Sequence, residues 1–161
     1  MVDVTTKPLT NRVAVARCVV RTVADAAAVL AEGADGMDLV EAARVAGMQA
    51  AKQTSSLIPL CHPIRIDRVT VDVGVHAHRI EVTATTEIVE RTGVEMEALT
   101  ACAFAAVTLV KAFSEVDPEA SIEDLTLWHK SGGRSGDWHR EGSDGRLTQR
   151  AAGTAASDPG A

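Results

Sequence analysis

The chain has 161 residues, a formal net charge of −6 and a hydrophobic fraction of 46%, supplied mostly by Ala, Val and Leu. That length suits one domain with a proper core. The negative balance argues against a phosphate-backbone partner, and Phe104, Phe113, Trp128 and Trp138 are too few to stack single-stranded nucleic acid. Three well-separated cysteines, Cys18, Cys61 and Cys102, match no zinc spacing and cannot all pair, which points to a reducing compartment. No apolar run reads as a membrane span and no signal peptide is visible, so a cytoplasmic protein is expected.

Residues 1–9 are polar and short, closed by Pro8. Residues 13–23 read as a strand with imperfect alternation. Thr22 or Asp25 can cap an Ala-rich helix over 24–31, ended by a turn at Gly33. Asp38 opens the next helix, in which Leu39, Val40, Ala43, Ala46, Gly47 and Ala50 share a face rich in small residues. Such a face can approach a sheet or a helix closely. In the strap that follows, residues 52–64, Pro59 and Pro63 each bias the preceding residue away from the helical region, which predicts an extended, rigid segment. Neighbours in an extended chain point to opposite sides. Cys61 and His62 are therefore not expected to serve one centre with both side chains; one packs, and His62 is the better candidate to face a ligand.

Two strands follow, 64–75 and 79–89, with a link short enough for a hairpin. His76 and His78 share a face if the strand continues and could then hold a metal. No third ligand is visible, so they read as polar turn residues, and no metal or cofactor is expected. Arg91-Thr92-Gly93 breaks the strand, a long helix spans 95–116, and Asp117-Pro118 ends it. A last strand, 122–128, delivers the chain into Lys130-Ser131-Gly132-Gly133-Arg134-Ser135-Gly136. Beyond it the sequence lacks any hydrophobic period, which predicts a domain over 1–136 and a disordered tail over 137–161. The order β-α-α-β-β-α-β predicts an α+β domain with helices on one face of an antiparallel sheet.

Three segments can carry chemistry: the Cys61-His62 strap, the pair Glu95 and Glu97 bracketing Met96 at a helix start, and the glycine-rich loop after Lys130. Acids at a helix start also serve simply as dipole partners. The glycines can offer N–H groups to an anion, with Lys130 and Arg134 adding charge, although the spacing is not that of a Walker loop. Five runs combine these features: Met1-Val2-Asp3-Val4, Ala46-Gly47-Met48-Gln49-Ala50-Ala51-Lys52, Leu57-Ile58-Pro59-Leu60-Cys61-His62-Pro63, Thr92-Gly93-Val94-Glu95-Met96-Glu97-Ala98-Leu99-Thr100-Ala101 and the Lys130–Gly136 loop. Across residues 1–136 the chain thereby resembles the molybdenum-cofactor biosynthesis protein C family, the cyclic pyranopterin monophosphate synthases.

The resemblance implies a ferredoxin-like α+β fold, a hexamer built as a trimer of dimers, and an active site at a subunit interface. It implies lyase-type chemistry on a small nucleotide: 3′,8-cyclised dihydro-GTP, made by a radical enzyme, is rearranged to cyclic pyranopterin monophosphate with loss of pyrophosphate. It assigns substrate holding to Leu60, Cys61, His62, Glu95, Met96 and Glu97, and a catalytic part to Lys130. Three positions depart from the family pattern: Gly36 stands for a lysine, Lys111 for an aspartate and Ser114 for a lysine. Glu115 is a nearby carboxylate, but one residue along a helix turns a side chain about 100° away, and it is not expected to substitute. The altered positions conserve their summed charge of about +1 while losing proton-transfer groups. Two readings follow: an enzyme of reduced or rearranged activity, or a catalytically silent paralogue that binds the nucleotide or co-assembles with an active relative. Retention of the substrate-holding runs disfavours a plain structural oligomer.

Overall fold

The computed structural model describes residues 8–32 and 38–140. The expectations for the Met1-Val2-Asp3-Val4 run, the Gly33 turn, Gly36 and residues 141–161 lie outside the described residues. The elements run β1 (Thr10–Arg21), α1 (Ala26–Glu32), α2 (Leu39–Lys52), α3 (Thr54–Leu57), β2 (Arg68–His76), β3 (Arg79–Glu90), α4 (Glu95–Phe113), β4 (Ser121–Ser131) and β5 (Trp138–His139). The sheet is antiparallel throughout, in the order β2-β3-β1-β4-β5. With α2 and α4 on one face, this is an α+β fold of ferredoxin-like arrangement.

Alternation along β1 decides which face the helices cover. Ala14, Ala16, Cys18 and Val20 are buried beneath α4, as are Ile80, Val82, Ala84 and Ile88 of β3. Strand β1 pairs with β3 without interruption, from Thr10 opposite Glu90 to Arg21 opposite Arg79. Its pairing with β4 slips twice, between Val15 and Ala16 and between Arg17 and Val19. The second slip accommodates Asp124, a non-glycine residue at φ 54°, as expected of a bulge. On the face away from the helices, the Arg17 guanidinium lies 4.5 Å from the Trp128 ring centroid.

Helix α2 is capped by Asp38, whose carboxylate accepts from the Val40 and Glu41 N–H groups. Its small-residue face packs on α4. A Cβ on Gly47 would lie 2.7 Å from the Ala101 carbonyl oxygen, 3.1 Å from Val71 and 3.2 Å from Ala105, so the absence of a side chain sets the helix–helix separation. At α1, Asp25 accepts from the Ala28 N–H, as one of the two cap expectations has it, while Thr22 donates to the Ala24 carbonyl. Buried Asp117, the residue expected simply to end α4, accepts from the Val23 and Ala24 N–H groups at 2.6 and 3.0 Å.

Several boundaries differ from expectation. Strand β2 starts at Arg68, not at 64, because the Asp67 carboxylate accepts from the Val89 N–H and ends the ladder with β3. Ile64 and Ile66 still pack against the core, from irregular chain. Residues 137–140, expected to open a disordered tail, include β5, and the Arg140 side chain donates to the Leu127 carbonyl. Helix α4 is long and apolar enough, at mean hydropathy 1.6, to cross a membrane by length and composition, whereas the sequence reading found no such run. Half of that stretch is buried inside the fold, and its apolar face serves the core.

Candidate active site

The strap departs from the expected extended path. The four residues of α3 add one helical turn after α2, and Thr54 donates its hydroxyl to the Ala51 carbonyl at 2.9 Å. Ile58 is extended, but Leu60 takes φ 71°, and the Cys61 N–H donates to the Ile58 carbonyl at 3.3 Å. This is a tight turn with Pro59 and Leu60 at its centre. Its third residue needs positive φ, a place normally given to glycine. A leucine there costs about 1–2 kcal/mol, and with 91% of its surface exposed the side chain recovers almost none of that by burial.

The turn redirects the chain so that Leu60, Cys61, His62 and Ile64 all line one cavity of about 210 Å³. Cys61 and His62 thus border the same space, contrary to the expected division, because the chain from Cys61 to Ile66 belongs to no strand and its side chains need not alternate. The opposite wall comes from Thr92 and Gly93 and from the first turn of α4, where Glu95, Met96 and Glu97 face the strap. Buried Thr86 donates to the Val94 carbonyl at 3.0 Å, anchoring that helix start to β3.

Glu97 has 5% of its surface exposed. Burial raises its pKa above the ordinary carboxyl value and the Glu95 charge adds to this, opposed by its own backbone N–H and by His62. The Cys61 thiol is raised too, by burial and by the Glu97 charge. The cavity therefore holds one carboxyl group inclined to keep its proton. Glu95 stands beside it at the positive end of the α4 dipole, paired with a cation. The Lys130 Nζ lies 3.3 Å from the Glu95 Oε1, both side chains about one-third exposed. Lys130 projects from β4 on the helix-covered face, opposite Ala14 of β1. A Cβ on Gly93 would collide with the Glu95 carboxylate, so glycine there leaves room for that pair.

The glycine-rich loop is shaped by contact with β1. Gly132 and Gly133 have φ 85° and 77°; a Cβ on the first would strike the Asn11 carbonyl oxygen, and one on the second the Arg12 guanidinium. The N–H groups expected for an anion are partly engaged: Gly132 donates to Asp137 at 3.2 Å and Gly136 to the Gly133 carbonyl at 3.3 Å. Arg12 is the residue that sequence reasoning missed. It donates to the Glu90 and Arg91 carbonyls, both at 3.0 Å, and ties the turn before Glu95 to the loop after Lys130. Its signal was present: a cation at a strand position of the same parity as the buried Ala14, Ala16, Cys18 and Val20.

Lys111 and Ser114 lie elsewhere. They occupy the C-terminal end of α4, where the Lys111 Nζ is 3.4 Å from the Ser114 hydroxyl and that hydroxyl donates to the Lys111 carbonyl. Fourteen residues of helix separate Lys111 from Glu97 by about 21 Å. Glu115 is exposed at the same end. His76 ends β2 with its Nε2 3.9 Å from Glu81, and His78 sits in the hairpin turn.

The profile of the MoaC family matches residues 1–133. The chain is 50% identical over 143 residues to cyclic pyranopterin monophosphate synthase 2 of Mycobacterium tuberculosis, a match covering 87% of this chain and 84% of that protein. It is 48% identical over 149 residues to the cyclic pyranopterin monophosphate synthase of Thermomicrobium roseum, covering 91% and 90%. Cyclic pyranopterin monophosphate synthase 1 of Mycobacterium tuberculosis is 45% identical over 146 residues, covering 89% and 86%. With the profile spanning most of its length and relatives at these identities, the chain belongs to the MoaC family.

Proposed function

We propose that this protein acts in molybdenum cofactor biosynthesis, on the conversion of 3′,8-cyclised dihydro-GTP to cyclic pyranopterin monophosphate and pyrophosphate. The observation that carries the reading is the convergence of the strap, the Glu95–Glu97 turn and Lys130 around one cavity in a chain of this family. Lys130, now held by Glu95, can exchange that partner for a phosphate oxygen. It then balances charge as the bond to the departing pyrophosphate breaks. Glu97, whose burial favours the neutral carboxyl group, and His62 can hydrogen-bond a ring atom, and Leu60, Cys61 and Met96 offer apolar contact to a flat ring system. Residues 1–136 carry this activity; free thiols at Cys18, Cys61 and Cys102 suit a cytoplasmic setting.

The site takes a second chain to complete. A family site that uses the positions of both Glu97 and Lys111 cannot draw them from one helix about 21 Å apart. That separation supports a homo-oligomer with the cavity at its interface; the resemblance to the family implies that it is a hexamer arranged as a trimer of dimers. A monomer by light scattering at micromolar concentration would contradict this.

Lys111 and Ser114 place a cation and a hydroxyl where the family carries an aspartate and a lysine, which supports attenuated chemistry. Turnover should be at least about a hundredfold slower than in an ordinary member. A silent paralogue is the second reading, favoured by the altered positions Lys111 and Ser114; a second copy in the same genome with the usual lysine, aspartate and lysine would support it. The test is a coupled assay: the upstream radical enzyme supplies substrate and the oxidised pterin is read by fluorescence. Lys111→Asp alone should not restore rate, because groups acting as a unit are non-additive. The triple variant Gly36→Lys, Lys111→Asp, Ser114→Lys should. A folded triple variant without turnover would mean that residues beyond these three have also been lost. Full rate in the unmodified chain would instead mean that acid and base have moved to other residues.

A further inference from the structure

Two thiols that the proposed chemistry does not use face each other in the core. Cys18 points from β1 toward α4, Cys102 points from α4 toward β1, and their sulfur atoms are 3.4 Å apart. Cys18 has 3% of its surface exposed and Cys102 none. The Cys102 sulfur also lies 3.6 Å from the Val82 carbonyl oxygen, and the Cys18 sulfur 4.0 Å from the Cys102 carbonyl oxygen. The surrounding residues are small: Ala16, Ala84, Ala98, Ala101, Ala105 and Ala106 are all fully buried. Helix and sheet therefore approach closely here, and no bulky side chain stands between the two sulfurs.

We propose that Cys18 and Cys102 form an oxidisable pair that a hydroperoxide converts to a disulfide, stapling α4 onto β1. A disulfide needs a separation of about 2.05 Å, so the sulfurs must close by about 1.4 Å. One sulfur attacks the peroxide; an S–O bond forms, the O–O bond breaks, and the leaving oxygen takes the thiol proton and departs as water from hydrogen peroxide or as an alcohol from an organic hydroperoxide. The second sulfur then displaces hydroxide from the sulfenic acid, an S–S bond forms, and its own proton leaves with that hydroxide as water. Two thiols lose two electrons and the peroxide gains them. The S–H of Cys102, directed at the Cys18 sulfur, holds the Cys18 thiol below its ordinary value, while that neighbour and burial push Cys102 far above it. Cys18, the less deeply buried sulfur and the one that accepts the Cys102 S–H, is the first attacker. The staple would fix the half of α4 that carries Glu95 and Glu97, seven and five residues ahead of Cys102 and so fewer than two turns away. A transient, reversible bond of this kind is the form disulfides take in reducing compartments.

The test uses the full chain with Cys61→Ser, which removes the thiol at the cavity. After hydrogen peroxide, the intact mass should fall by two hydrogens, and a non-reducing digest should yield one peptide pair joined through Cys18 and Cys102. The melting temperature should rise on the order of 10 °C, since the bond closes a loop of more than eighty residues. Dithiothreitol should reverse all three. Cys102→Ala in the same background should abolish the mass loss, and the unsubstituted pair provides the decisive measurement should that variant fail to fold. If both thiols remain alkylatable after a denaturing quench, with the mass unchanged or raised by oxygen, the pair is only a packing contact and the proposal fails.

Discussion

Replacing Gly47 with alanine tests whether the closeness of α2 and α4 matters to the site. The new Cβ would lie 2.7 Å from the Ala101 carbonyl oxygen, about 0.7 Å inside ordinary van der Waals contact, with Val71 and Ala105 crowding it at 3.1 and 3.2 Å. The nearest atom is helix backbone, so α2 must move as a body. Alanine in a helix interior gains about 1 kcal/mol over glycine, whereas overpacking costs about 1–3 kcal/mol. Because a backbone carbonyl cannot rotate away, the upper part of that range applies, and a net loss of about 1–2 kcal/mol is expected. This lowers the melting temperature by roughly 3–8 °C. Helix α2 leads directly into the strap, so its displacement also moves Cys61 and His62 away from Glu97. The melting-temperature gain produced by millimolar GTP or the cyclised substrate should shrink along with stability. Calorimetric melts with and without nucleotide supply both numbers. A Gly47→Ala protein as stable as the parent or more so, with an undiminished nucleotide shift, would refute both the packing argument and its link to the site.

Glu97→Gln should stabilise the protein at neutral pH. The folded state raises the Glu97 pKa, so its favourable contribution is complete below the ordinary carboxyl value and is lost as pH rises through the folded one. Each unit of elevation corresponds to about 1.4 kcal/mol. Melts between pH 4 and 8 should show the variant ahead at the alkaline end and the gap closing toward acid; parallel curves would contradict it. Leu60→Gly should keep or raise stability, by up to about 1 kcal/mol, because glycine takes φ 71° without strain and the exposed leucine buries nothing. Leu60→Val should fall below it by about 1 kcal/mol or more in urea unfolding, and equal midpoints would argue against a strained turn. His62→Ala and Lys130→Ala should each remove most of the nucleotide-induced melting shift, and a full shift in either would exclude that side chain from the ligand.

Local chemistry determined much of this protein. Asp38 followed by a helical stripe is a helix start whatever packs on it, whereas α4 ends at Phe113 with Ser114 as its cap, short of the expected stop at Asp117-Pro118. The period-two runs and their turn residues likewise determined the order of elements, and with it an antiparallel sheet covered on one face. The Leu60-Cys61-His62, Glu95-Met96-Glu97 and Lys130 segments were readable as site material, since each departs from what a plain strand, cap or turn requires. What remained depends on partners far away in the chain. Whether the strap stays extended turns on the Ile58–Cys61 hydrogen bond and on core contacts of Ile64 and Ile66, so neither the left-handed Leu60 nor the shared orientation of Cys61 and His62 follows from prolines alone. Arg12 finds the Glu90 and Arg91 carbonyls seventy-eight and seventy-nine residues on, and Asp117 reaches back more than ninety residues to Val23 and Ala24. Cys18 and Cys102, unremarkable at eighty-four positions apart, meet because β1 alternates and α4 turns every 3.6 residues, bringing one face of each to the same place. A periodicity states which side of an element is apolar; only the packed fold decides what that side touches.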